Sequence, residues 1–63
     1  MTALRTIVTG ASNGIGAAIA DRLRARGDRV VGLDREAGQD VVVTDLADPA
    51  ARAHGVATAI ERL

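Results

Sequence analysis

The stretch Thr9-Gly10-Ala11-Ser12-Asn13-Gly14-Ile15-Gly16 decides the fold. It carries three of the chain's seven glycines. Before it, Thr6-Ile7-Val8-Thr9 is a β-branched run that reads as a strand. After it, a helix is expected to about Arg26. A helix that opens directly after a strand presents unpaired backbone N–H groups and a partial positive charge at its start, which together make an anion site. Gly10 is expected to permit the tight turn out of the strand. Gly14 lets a pyrophosphate approach the backbone without meeting a Cβ, and Gly16 lets the helix pack closely on the strand. Ser12 and Asn13 add side-chain donors at the same rim, and Ile15 opens the helix between the last two glycines.

Outward from the loop, the pattern continues as alternating elements. Ile15, Ile19 and Leu23 recur every four residues with Ala18 on the same side, which predicts the buried face of the first helix. Gly27 suits the left-handed position that ends it. Arg22, Arg24 and Arg26 read as a solvated face, with Asp21 and Arg24 placed to pair. Arg29 to Leu33 and Val41 to Thr44 are near-continuous apolar runs, the pattern of strands covered on both faces. Asp48 and Pro49 then start a second helix, the first as N-cap and the second in the opening turn. Its apolar stripe is predicted as Ala53, Val56, Ile60 and Leu63, with Gly55 a weak point costing about 1 kcal/mol relative to alanine. His54, beside that stripe, is expected at the surface. The stripe still runs at Leu63, as in a chain cut short.

The order is therefore β-α-β-β-α. Only six residues separate Asp34 from Val41, whereas parallel strands are usually joined by a dozen or more. Spacing alone favours a hairpin. A parallel return remains open, because seven extended peptide steps reach roughly 23 Å and a five-residue strand is only roughly 16 Å long.

Composition narrows the function classes. Eight acidic residues balance eight basic ones, every one of them arginine. No basic patch calls for nucleic acid or an anionic membrane. No apolar run nears the eighteen residues of a membrane span, and the N-terminal Met1-Thr2-Ala3-Leu4-Arg5 lacks the basic start and apolar stretch of a secretory signal. A cytoplasmic protein is expected. With no cysteine and one histidine, neither a disulfide nor a metal cluster is expected. A 63-residue chain without aromatic rings is not expected to be stable by itself.

The spacing G-x-x-x-G-x-G in Thr9, Gly10, Gly14, Ile15 and Gly16 resembles the T-G-x-x-x-G-I-G loop of the short-chain dehydrogenase/reductase family, and the resemblance covers the whole chain. The short link between the second and third strands is similar to the subgroup around bacterial 3-alpha-hydroxysteroid dehydrogenase, where the intervening helix is reduced. The resemblance implies an α/β fold: the N-terminal part of a Rossmann-type, doubly wound parallel sheet, incomplete, with residues 1–63 as one partial NAD(P)-binding domain. It implies a parallel return between strands two and three, and a central first strand flanked by the second strand and a fourth.

Asp34 lies eighteen residues past Gly16 at the end of the second strand. An acid there can accept hydrogen bonds from the adenosine ribose hydroxyls and would repel a 2′-phosphate, which favours NAD over NADP. Arg35 pulls the other way, since an arginine beside the ribose can pair with that phosphate. Asn13 occupies a position that is often basic in NADP-preferring relatives. In the family, an acid after the third strand and the backbone of the next residue contact the adenine edge. Carried over, this assigns Asp45 and Leu46 to the adenine pocket; the lesser alternative is that Asp45 simply leads into the helix capped by Asp48.

The family's catalysis uses a tyrosine, a lysine four residues later and a serine. The sequence contains neither tyrosine nor lysine, and its one serine, Ser12, belongs to the loop. The resemblance thus implies the front quarter of an oxidoreductase that moves hydride between a nicotinamide and an alcohol or carbonyl substrate, a homo-oligomer when complete. A stand-alone nucleotide-binding module is the alternative.

Overall fold

A computed structural model describes residues 3–63. Met1 and Thr2 of the N-terminal segment lie outside the described residues. The elements run β1 (Arg5–Thr9), α1 (Gly14–Ala25), β2 (Arg29–Asp34), β3 (Val41–Val43) and α2 (Pro49–Arg62). They form one three-stranded sheet in the order β1-β2-β3. Both pairings are parallel, with Arg5 opposite Arg29 and Thr9 opposite Leu33 in the first, and Gly32 opposite Val41 and Asp34 opposite Val43 in the second.

The parallel return across six residues has a simple cause. Val41 is level with Gly32, only two residues back from the end of β2. The chain therefore retraces about 7 Å instead of a whole strand. Two hydrogen bonds pin the register, Gly32 N–H to the Asp40 carbonyl at 2.9 Å and Thr44 N–H to the Asp34 carbonyl at 2.7 Å. Asp40 takes a left-handed conformation (φ 53°) where the chain turns into β3, a region that aspartate tolerates better than most residues. Its carboxylate is paired with Arg29 and Arg62.

Alternation along the strands sends Val30 and Val8 to the α1 side, with Ala20 and Leu23, and sends Val31, Leu33, Val42 and Ile7 to the α2 side, with Ala59 and Leu63. The sheet is thus covered on both faces. Of the predicted apolar stripes, Leu23 and Leu63 do pack on the sheet, but the other inward positions differ. In α1, Ala20 is fully buried while Ile15 is 80% exposed and Ile19 is exposed as well. In α2, Gly55 and Ala59 are buried while Val56 and Ile60 are exposed and Ala53 lies outside with them. Small side chains face the sheet because the layers are close. A Cβ on Gly55 would lie 2.5 Å from the Thr44 hydroxyl oxygen. Gly55, expected to be a weak point, is the place where α2 touches the end of β3.

The remaining boundaries follow local chemistry. Gly27 (φ 95°) ends α1, with its N–H on the Arg24 carbonyl and the Asp28 N–H on the Leu23 carbonyl, a Schellman arrangement. Asp28 is buried and accepts from the Leu4 N–H and from Arg26. Those bonds hold its carboxyl below the ordinary value of 3.8, the Leu4 N–H contributing most. Arg24 bonds the Gln39 carbonyl and lies 3.6 Å from Asp21, so Arg24 and Arg26 anchor loops and are not merely a solvated face. His54 is exposed. Among the described residues no helix is long and apolar enough to cross a membrane.

Candidate cofactor-binding site

The carboxyl ends of three parallel strands lie along one edge of the sheet, where ligands of open α/β folds bind. The glycine loop follows the first of these ends. Gly10 and Gly14 both have left-handed backbones, with φ 68° and 62°. A Cβ on Gly14 would point into open space with nothing within 4 Å, whereas one on Gly16 would lie 1.9 Å from the Gly10 carbonyl oxygen. The two glycines therefore differ in purpose. Gly16 lets the first turn of α1 sit against the loop, and Gly14 leaves the approach to that turn clear.

Helix α1 begins without a side-chain cap. Asn13 occupies the N-cap position but its side chain makes no capping hydrogen bond, and the first turn holds no acid. A first turn with neither feature is the kind of helix start that favours negative charge. The residues present suit a flexible anionic group such as a pyrophosphate: among the described residues the turn has neither a capping side chain nor an acid, and Gly14 places no Cβ before it.

Asp34 joins the loop to the end of β2. Its Oδ2 accepts the Ser12 N–H and its Oδ1 accepts the Glu36 N–H, both at 3.0 Å. These two donors, the Glu36 N–H more than the Ser12 N–H, hold the carboxyl below its ordinary value. Asp34 is thus an ionised acid fixed beside the glycine loop. It is also a tie, because the loop is anchored to β2 through it and through the Gly10 N–H on the Leu33 carbonyl at 2.8 Å.

The side chains of Ser12 and Asn13, expected as donors facing a ligand, are engaged within the chain. The Ser12 hydroxyl donates to the Glu36 carbonyl, and the Asn13 amide donates to the Glu36 carboxylate at 2.9 Å. Glu36 carried no sequence pattern that marked it; only its position two residues past Asp34 could have drawn notice. Ile15 contributes its place in the open first turn, while its side chain points out to solvent.

Asp45 and Leu46 follow β3, one strand farther along the same edge. Asp45 is exposed and its Oδ1 accepts the Ala47 N–H at 3.0 Å, which shapes the turn into α2. Leu46 packs on the core cluster of Val31, Leu33, Val42 and Ala59, and its carbonyl accepts from Arg52. Gly10, Ser12, Asn13 and Asp34 are drawn together by direct bonds. Asp45 and Leu46 share only the sheet edge with them.

Comparison with known proteins agrees with this geometry. Residues 5–63 match the family model described as short chain dehydrogenase. Among solved structures, the chain is similar to the 3-alpha-hydroxysteroid dehydrogenase from Pseudomonas sp. B-0831 complexed with NADH, at 37% identity and a TM-score of 0.77 over 95% of this chain and 25% of that one. It is also similar to a short-chain dehydrogenase/reductase from Burkholderia vietnamiensis, at 32% identity and a TM-score of 0.74, covering 89% of this chain and 32% of that one. No match is found among curated protein sequences. The chain therefore spans a third or less of the length of these solved relatives. A strand–glycine loop–helix start, an acid closing the second strand and a match along nearly the whole sequence lead to one conclusion: the chain belongs to the short-chain dehydrogenase family.

Proposed function

We propose that this chain is the NAD-binding segment of an oxidoreductase that transfers hydride between the nicotinamide and a small alcohol or carbonyl substrate. The observation that carries the reading is Asp34, ionised and bonded to the Ser12 N–H, standing beside the uncapped start of α1. In this reading the first turn of α1 receives the pyrophosphate and Gly14 gives it room. Asp34 takes the adenosine ribose hydroxyls, exchanging part of its bonding to the chain's own N–H groups. Asp45 and the Leu46 backbone border the adenine. NAD, when bound, supplies the hydride-accepting ring; the residues of this segment bind and orient it and move no proton. The sequence holds no tyrosine and no lysine, so the acid–base group would come from chain outside these residues. The NADH named for the Pseudomonas relative supports NAD over NADP, as does the acid at the end of β2. A homo-oligomeric, cytoplasmic enzyme without nucleic-acid or membrane partners is the setting we infer.

Calorimetric titration of the complete protein with NAD⁺ and NADP⁺ tests this. NAD⁺ should bind more tightly, and Asp34→Ala should weaken NAD⁺ binding while narrowing the preference. A complete protein that binds neither dinucleotide, or whose preference is the same before and after the substitution, would overturn the assignment.

A further inference from the structure

The crossover between β2 and β3 is docked onto the glycine loop, and Glu36 is the residue that docks it. Its N–H donates to Asp34 Oδ1, its carbonyl accepts from the Ser12 hydroxyl, and its carboxylate accepts from the Asn13 amide. Two residues on, Gly38 lies so close to Ser12 that a Cβ there would be 2.9 Å from the hydroxyl oxygen. From the far side, Arg24 holds the Gln39 carbonyl at 2.9 Å. An exposed glutamate usually spreads its charge over many rotamers and many positions. Here the backbone is held at two points and the carboxylate itself by the Asn13 amide, which directs its charge to the rim that Asp34 also borders.

The charge balance of that rim follows. Asp40, the next acid along, is paired with Arg29 and Arg62 on the opposite side of the crossover. From the end of β2 to the crossover the chain itself then carries two carboxylates, Asp34 and Glu36, against the one cation Arg35, while Arg24 of α1 reaches the crossover farther on, at the Gln39 carbonyl. Asn13, a neutral donor that could otherwise turn toward an anion, is directed at Glu36.

We infer that Glu36 is a specificity-determining residue of the dinucleotide site: its tethered carboxylate is a second barrier, beside Asp34, to a phosphate on the 2′ position of the adenosine ribose, and it offsets the invitation that Arg35 extends to such a phosphate. This rests on the proposed NAD-binding reading. Removing Asp34 alone therefore leaves part of the discrimination in place.

The test uses the complete protein, titrated calorimetrically with NAD⁺ and NADP⁺. Glu36→Gln keeps an acceptor for the Asn13 amide and removes the charge; Glu36→Ala removes both. Glu36→Gln should tighten NADP⁺ about three- to tenfold relative to NAD⁺ at low ionic strength, with the gain shrinking toward about 0.5 M salt as the charges are screened. Glu36→Ala should show the same relative gain together with weaker binding of both dinucleotides, because the crossover loses its tie. A Glu36→Gln protein with an unaltered melting temperature and a relative affinity within twofold of the parent would overturn the inference while leaving the NAD-binding reading intact. A parent protein that binds neither dinucleotide would overturn that reading first.

Discussion

The chain starts two helices just beyond strand ends and treats them in opposite ways. At α2, Asp48 accepts the Ala50 N–H at 3.0 Å and Pro49, which has no N–H to satisfy, fills the first turn. At α1, the residue in the equivalent place, Asn13, has a side chain equally suited to capping, yet turns it to Glu36 and leaves the turn open. The α2 start is finished within the chain, whereas the α1 start has its donors facing outward, a glycine in place of an obstructing side chain, and an acid fixed nearby. The two starts thus differ in where the capping residue spends its hydrogen bond: Asp48 on its own helix, Asn13 on Glu36, and the proposed pyrophosphate site rests on that difference.

The comparison breaks most severely at Gly16. A single methyl there would meet backbone atoms of Gly10 at 1.9 and 2.6 Å, and backbone cannot step aside as a side chain can. Gly16→Ala should cost about 3 kcal/mol or more, since overpacking against a rigid neighbour sits at the upper end of core substitutions. Denaturant unfolding of the complete protein measures it, and a loss under about 1 kcal/mol would mean that the loop and α1 are not in the contact described.

Gly14→Val comes next and separates site from fold. The new Cβ would meet nothing within 4 Å, but a β-branched residue at φ 62° is strained, at roughly 1–2 kcal/mol. Dinucleotide affinity should fall by at least about 100-fold, because the side chain stands where the phosphates approach. A folded variant that retains the parent's NAD⁺ affinity in calorimetry would place the phosphates elsewhere.

These two glycines also show how much was legible beforehand. Strand, loop and helix were readable around Gly10 to Gly16 because its three glycines have steric duties that few other residues can perform, left-handed backbone at Gly10 and Gly14 and close packing at Gly16. The parallel return from Asp34 to Val41 was not decided by spacing, since the distance to retrace depends on register, and register is a tertiary quantity. The helix faces were legible only at Leu23 and Leu63, which pack on the core. Periodicity gives weight to large side chains, so Ile15, Ile19, Val56 and Ile60 marked the stripes. The packing selected Ala20, Gly55 and Ala59, because layers this close admit only small groups. The place of Asp34 beside the glycine loop was legible from its distance to the loop. Glu36 was not, because its tie to Asn13 depends on how the crossover folds back.

The ties made by carboxylates sharpen the comparison through pH. Asp34 and Asp28 both have folded values held below 3.8 by N–H donors and, for Asp28, by Arg26. A lowered folded value means that the stabilisation is present above the unfolded value and is lost as pH falls through the folded one. Stability should therefore be level with respect to these two groups from neutral pH down to about 5, and decline below about 4. Asp34→Asn and Asp28→Asn should each flatten part of that decline. An acid limb with the same slope in both variants would show that neither bond carries the linkage.

The smallest expected effect returns to the two caps themselves. Asp48→Ala deletes a capping bond and should cost about 1 kcal/mol, within the usual span for cap removal. Its effect on NAD⁺ affinity should be less than about twofold, since in binding free energy that is under half a kcal/mol and the hydrogen bonds of Asp48 among the described residues go to Asp45, Ala50 and Arg52, not to the glycine loop. Asn13→Ala deletes no capping bond, only an exposed contact with Glu36, and should cost a few tenths of a kcal/mol in stability, in the range of surface substitutions. It should nevertheless alter the relative affinity for NAD⁺ and NADP⁺, because it frees the Glu36 carboxylate from its fixed position. Stability and affinity must move in opposite order for the two alanine variants. If Asn13→Ala proved the more destabilising of the pair, Asn13 would be acting as a cap after all, and the open start of α1 would lose its distinction from the closed start of α2.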